Sequence, residues 1–291
     1  MRLPSVRSVC VLLRISNLPT LWTNACCGWW LAGGGDPRAL AWSILGLSLL
    51  YSAGMVLNDA WDADRDRVER PDRPIAAGQV DRKFAFVLGY ALMGLGLCAL
   101  VRVGAIAWLF GFGLAMAILL YEEIHKNAPA WGAVTMGFCR TLAVVVGGAA
   151  SEWGGSLATW IAAGAVGIYV AAISIVARDE DRAVTARVPV ATRVLLLAPL
   201  GAGAALLWGE LHESPLASWL RWGWTLLPLG AWLVWTVARM PRNRMRAVGD
   251  LLSGLCLADL ALAAFAPGSL VIGFLGAFIL CLVLRRSVPA T

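Results

Sequence analysis

Ten mostly apolar stretches follow one another along this chain, at 18–34, 39–57, 84–101, 104–120, 130–150, 157–177, 190–209, 216–238, 247–266 and 269–284. A helix needs about 20 such residues to cross the hydrocarbon core of a bilayer, and about 17 can suffice. Inside lipid every backbone N–H and C=O must find its partner within the segment. The expected fold is therefore all-α and polytopic, with nine to ten transmembrane helices. Little more than Arg102 separates the third stretch from the fourth, and Pro267-Gly268 separates the last two, so both pairs read as tight helical hairpins. Only two long polar segments remain, 59–83 and 178–193, with a short one at 239–246. Neither an internal repeat nor a soluble domain interrupts the pattern. The chain reads as one domain over 1–291, with 59–83 and 178–193 as caps at one end and 269–284 as an extra helix.

Composition closes off the soluble alternative. Apolar residues make up 59% of the 291 and charged ones 14%, against about 45–50% and about 25% in soluble domains. The net charge of +6 could suggest nucleic acid, but in a membrane protein the placement of basic residues matters more than their sum. With the N-terminus placed in the cytoplasm, 20 of the 24 Lys and Arg fall on inner segments. Arg38 and Arg102 fall outside, and Arg140 and Arg221 lie within predicted spans. The bias predicts a cytoplasmic N-terminus in a cell inner membrane and no nucleic-acid partner. The seven cysteines show no zinc or disulfide spacing and read as small apolar side chains.

The second stretch ends in Asn58-Asp59-Ala60-Trp61-Asp62-Ala63-Asp64-Arg65-Asp66. If that helix runs on past the membrane, Asn58, Asp62 and Asp66 stack at i, i+4 and i+8 on one face. Carboxylate and amide oxygens so arranged hold Mg²⁺ while substrate phosphates complete its shell. Arg70 and Arg73 follow, in Arg70-Pro71-Asp72-Arg73-Pro74-Ile75-Ala76-Ala77-Gly78. Arginine forks match phosphate oxygens, so cation plus arginine suits a diphosphate. The prolines predict an extended turn, and Gly78 lets the chain double back. A solvated loop of acids paired with Arg65, Arg67, Arg70 and Arg73 is the alternative.

N-D-x-x-D-x-x-x-D followed by R-x-x-R-P-I-x-x-G, after a second apolar span, resembles the UbiA family of intramembrane aromatic prenyltransferases. Arg14 to Pro19, with Asn24 one turn on, and Tyr121 to Lys126 are similar to further segments of that family. In all, the resemblance covers most of 14–266. It implies a UbiA-like helical bundle around a central cavity. A polyprenyl diphosphate donor would lie with its tail in the cavity and its head between two Mg²⁺-binding acidic motifs, and a small lipophilic, aromatic or quinone-like acceptor would take the prenyl group. Asn58, Asp62 and Asp66 are then the catalytic residues, and Asp59 joins them as a metal ligand. Arg14, Asn24, Arg70, Arg73, Tyr121, Lys126 and Arg140 are the expected diphosphate and substrate contacts.

Where the family's second motif has its first aspartate, this chain has Ala177; Asp181 matches the last, and Asp179 is the nearest substitute. Asp179 and Asp181 are expected metal ligands, or else members of a self-paired loop with Arg178, Arg182 and Arg187. His125 stands where the family has its lysine, and Lys126 follows it. Arg140 and Asp259 lie within spans, where a charge is expensive; Arg140 is either a diphosphate contact or the counter-ion of Asp259. Two other functions stay open: a diverged, non-catalytic isoprenoid-binding relative, and a ten-span metabolite transporter, which would show two related halves.

Overall fold

The computed structural model describes residues 4–125, 128–151, 155–178, 188–209, 215–263 and 265–288. Among them every regular element is helical. The order is α1 (Val6–Leu12), a 3₁₀ turn (Ile15–Asn17), α2 (Leu18–Leu31), α3 (Pro37–Trp61), α4 (Ala63–Glu69), α5 (Arg82–Val101), α6 (Ala105–Ile124) and α7 (Pro129–Gly148). Then come α8 (Leu157–Arg178), α9 (Val190–Leu195), α10 (Ala198–Gly209), α11 (Pro215–Arg239), α12 (Arg244–Ser253), α13 (Leu255–Leu262) and α14 (Gly268–Leu284). Six helices among the described residues are long and apolar enough to span a bilayer: α3, α5, α6, α7, α8 and the α9–α10 stretch. The chain is a multi-pass membrane protein. Val87, Leu95, Leu109 and Leu120 face outward on α5 and α6, a costly surface in water and a natural one in lipid.

Several predicted spans are interrupted. The first ends at Leu31 rather than 34, because Gly33, Gly34 and Gly35 all take positive φ. The stretch 190–209 is split by a turn at 196–197. The stretch 247–266 becomes α12 and α13, which meet at Gly254. Gly254 has no room for a side chain: a Cβ there would come within 3.0 Å of Trp232 and of the Tyr169 hydroxyl. Tyr169 itself donates to the Leu251 carbonyl at 2.9 Å, so the break is packed from both sides.

Close helix crossings set the core. A Cβ on Gly28 would run into the Val144 carbonyl, and one on Gly147 into the backbone of Ala25. Backbone thus meets backbone between α2 and α7, the small-residue packing on which membrane bundles rely. α14 lies against α2 and α13. Its far end is fixed by Arg285, which bonds Asp250 at 2.6 Å and donates to Ser253 Oγ at 2.9 Å. Asp250 is thereby paired rather than solvated. A small apolar cluster of Leu12, Val56, Ala60, Ile75, Val80 and Ala85 seats the 70–80 segment on the end of α3. That seating positions the site.

Candidate active site

α3 stops at Trp61, so the continuous helix expected through Asp66 is broken at Asp62 (φ −89°, ψ 2°). The ladder nevertheless carries across the joint: the Asp62 amide donates to the Asn58 carbonyl at 2.9 Å and the Asp66 amide to the Asp62 carbonyl at 2.8 Å. The acids keep nearly helical spacing although the helix is broken between them. Four closely spaced carboxylates repel one another, which opposes a straight helix; the joint relieves that.

The joint also sorts the charges into two sets. On the outer face of α4, Arg67 bonds Asp64 at 2.7 Å, Arg65 bonds Glu69 at 2.7 Å and Arg82 bonds Asp64 at 2.8 Å. Those are the exposed pairs of the solvated-loop alternative, each contributing about 0–1 kcal/mol. On the inner face, Asp59, Asp62 and Asp66 are buried. Arg73 Nη1 bridges Asp59 at 3.1 Å and Asp66 at 2.7 Å. Arg14 reaches Asp59 at 3.5 Å from a left-handed backbone position (φ 48°), which is strained for a residue with a Cβ.

The 70–80 segment that delivers Arg73 is a string of tight turns, not an extended one. The Arg73 amide donates to the Arg70 carbonyl at 3.1 Å and the Ala77 amide to the Arg73 carbonyl at 2.8 Å. Gly78 takes φ +70° there, the left-handed turn its place in the motif predicts. Arg70 caps α4 and is half-buried.

Across the site stands the end of α6. His125 Nε2 lies 3.4 Å from Asp62 Oδ2, and its ring stacks on Tyr121 at 4.6 Å. Glu122, which sequence reasoning passed over, is buried and accepts from Asn58 Nδ2 at 3.1 Å. A signal for it existed: Ile118, Tyr121 and Glu122 share one helical face (i, i+3, i+4), whereas Glu123 falls off it and is exposed. Burial raises the Asp66 carboxyl above the ordinary range, and the nearby Asp59 and Asp62 add to this against the opposing Arg73. Burial disfavours charge on His125, but the nearby Asp62 carboxylate and the bond to the Tyr121 carbonyl outweigh this and raise its pKa overall.

A narrow cavity of about 50 Å³ opens beside this cluster between α2, α3, α6 and α7. Tyr121 and Glu122 line one part and Leu21, Leu47 and Ala143 another, with Met55, Ile118 and Met136 between. It is too small for a polyprenyl chain as it stands; the two unbranched methionines are the walls best able to yield. Arg140 also lines it and touches none of the three inner aspartates. Its Nη1 donates to Thr20 Oγ1 at 3.0 Å and Asn24 Oδ1 at 3.2 Å. Asn24 Nδ2 in turn donates to both Asp259 oxygens, at 2.9 and 2.8 Å. Arg140 is thus linked to Asp259 through an amide, rather than as its direct counter-ion. Asn24 is wholly buried in that link.

Lys126, Asp179 and Asp181 lie outside the described residues, as do Arg182 and Arg187. For a divalent cation the first motif fits in kind: Asn58, Asp59, Asp62 and Asp66 offer only oxygen, and buried carboxylates require positive charge beside them. Guanidinium supplies that charge in the arrangement seen. Among the described residues no three His, Cys, Asp or Glu side chains are gathered closely enough to enclose an ion.

Comparison with known proteins adds the following. The profile of the UbiA prenyltransferase family matches residues 18–252. Digeranylgeranylglyceryl phosphate synthase of Natronomonas pharaonis is 30% identical over 154 residues, 53% of this chain and 55% of that protein. The enzyme of the same name from Metallosphaera sedula is 30% identical over 113 residues, 39% and 40% of the two chains. This chain therefore spans about half the length of the curated relatives it matches. Among solved structures, an apo UbiA homolog from Aeropyrum pernix K1 superposes with a TM-score of 0.64 at 18% identity, covering 86% of this chain and 97% of that one. A UbiA homolog from Archaeoglobus fulgidus bound to GPP and Mg²⁺ gives 0.57 at 16% identity, covering 96% and 97%.

Proposed function

Since this chain belongs to the UbiA prenyltransferase family, we propose that it transfers a prenyl group from a polyprenyl diphosphate to a small acceptor within the membrane, with Mg²⁺ as cofactor. The observation that carries this reading is the inner face of the acidic motif: three buried aspartates, neutralised by Arg73 and Arg14, beside an apolar cavity. Asn58, Asp59, Asp62 and Asp66 would hold Mg²⁺, as a hard cation prefers. Bound there, the ion would neutralise charge on the departing diphosphate.

The protein's own residues do the rest. Arg73 and Arg14 are placed to exchange carboxylate for diphosphate oxygens, since a bidentate fork serves either. Arg70, at the end of α4, is proposed to add a further contact to the diphosphate. The apolar wall takes the tail and keeps water from the allylic carbon while the leaving group departs. His125 and Glu122 fix Asp62 and Asn58 in place from the other side. Asp179 and Asp181 are proposed to add ligands from the second polar segment. The positive-inside bias supports placing this face in the cytoplasm, with the protein in a cell inner membrane.

For the acceptor, the family resemblance favours an aromatic or quinone-like molecule. The relatives' name favours a second reading, a glyceryl phosphate acceptor. Family membership sets the transporter aside. Membranes containing the wild type should release diphosphate from geranylgeranyl or longer donors, and Asp62→Ala should cut that release at least about a hundredfold. Equal release by both would overturn the role of this motif. Donor binding without release in either would favour the non-catalytic relative.

A further inference from the structure

Arg140 is 6% exposed and lines the cavity, yet the diphosphate site makes no use of it. α2 and α7 cross in backbone contact at Gly28 and Gly147, which brings Asn24 and Thr20 of α2 against Arg140 of α7. Only Nη1 of the guanidinium is used there, on Thr20 and Asn24. Nε and Nη2 make no hydrogen bond among the described residues. A guanidinium carries five N–H donors in a planar fork, and Arg140 lines the cavity, so the donors left over are available to a further partner. Asp259 is not that partner, because Asn24 stands between the two and bonds each of them. The cation lies over the Tyr51 ring at 5.2 Å from its centroid. Tyr51 precedes Asn58 by seven residues of α3, about 10 Å of helical rise. The unused edge of Arg140 therefore lies about two turns deeper than the acidic rim, along the same cavity.

We propose that Arg140 anchors an oxyanion on the acceptor, a carboxylate or a phosphate, so that the acceptor's nucleophile is held near the rim. The proposal rests on the prenyl-transfer reading above. A planar fork matches both oxyanions in bidentate fashion. Within an apolar wall such a contact excludes uncharged look-alikes, because they leave the fork unpaired. The site thus reads the charge at one end of a molecule that reacts at the other.

The test is equilibrium binding to the purified full-length protein in nanodiscs, with no donor present. The probes are 4-hydroxybenzoate against its methyl ester, and geranylgeranylglyceryl phosphate against geranylgeranylglycerol. Wild type is expected to bind one charged probe at least tenfold more tightly than its neutral counterpart, and which one identifies the source of the oxyanion. Arg140→Gln should lose that preference, with charged-probe affinity falling about 10- to 100-fold, the range for a lost charge-assisted contact. Arg140→Lys keeps the charge without the fork and should fall between the two; it decides the matter if the glutamine variant does not fold. No preference in wild type, or an undiminished preference in both variants, would overturn the proposal. Transfer is not needed for this readout, so failed diphosphate release would count against the function and leave this result standing.

Discussion

Two charged clusters sit in one bundle and are neutralised in opposite ways. At the rim, carboxylates meet guanidinium groups directly, at 2.7 to 3.5 Å. Within the bundle, Arg140 and Asp259 never touch; Asn24 is interposed and bonds each of them. On the proposed function the rim pairs would exchange: an arginine would release a carboxylate to a cation and take up phosphate instead. The inner link runs instead through one neutral amide, which donates to Asp259 and accepts from a single nitrogen of Arg140. A site that must bind and release a charged leaving group resembles the first; a side chain held at one nitrogen with its other edge open resembles the second.

Breaking the inner cluster should have the larger effect on stability. Asp259→Leu strands the buried Asn24 donor and leaves Arg140 without its distant countercharge, a change expected to cost about 1–3 kcal/mol. Size-exclusion chromatography after heating should show early loss of the monomer peak; unchanged survival would mean that the inner charges are not coupled. Arg67→Gln at the outer face of α4 stands at the far end of the scale. Both partners of that pair are more than half exposed, so unfolding should move within about 0.5 kcal/mol.

Between these lies His125, which sets the end of α6 against the rim at Asp62. Its folded pKa is raised, so the stability it contributes is complete below the unfolded value of about 6.5 and disappears as pH rises through the folded one. In metal-free buffer, the gap in Tm between wild type and His125→Gln should narrow as pH increases, by a few degrees at most. A gap independent of pH would show that His125 only packs.

How much of this was legible in sequence follows from which forces are local. The acidic motif was readable because charge, spacing and the adjacent arginines all lie within residues 58–78. Gly78 was readable for the same reason, its positive φ following from its place in a turn. The joint at Asp62 was not, since it balances carboxylate repulsion against the ladder and against Arg14, which arrives from a distant segment. Nor was the link through Asn24, because the Gly28–Gly147 crossing that creates it joins residues far apart in the chain. The break at Gly254 likewise depends on Trp232 and Tyr169 pressing on it from other helices. Glu122 could have been found by its helical face, had the apolar residues one turn before it been read as lining a cavity.

The central claim is that the rim holds a cation and a diphosphate together. Binding of a non-hydrolysable geranylgeranyl thiodiphosphate to the purified protein, with Mg²⁺ and after chelation, tests it most directly. Mg²⁺ should tighten binding at least about tenfold in wild type, the effect of one charge-assisted contact or more, and should have no effect in the Asp62→Ala, Asp66→Ala double variant. Equal affinity with and without Mg²⁺ in wild type, or the same Mg²⁺ response in the double variant, would contradict the account.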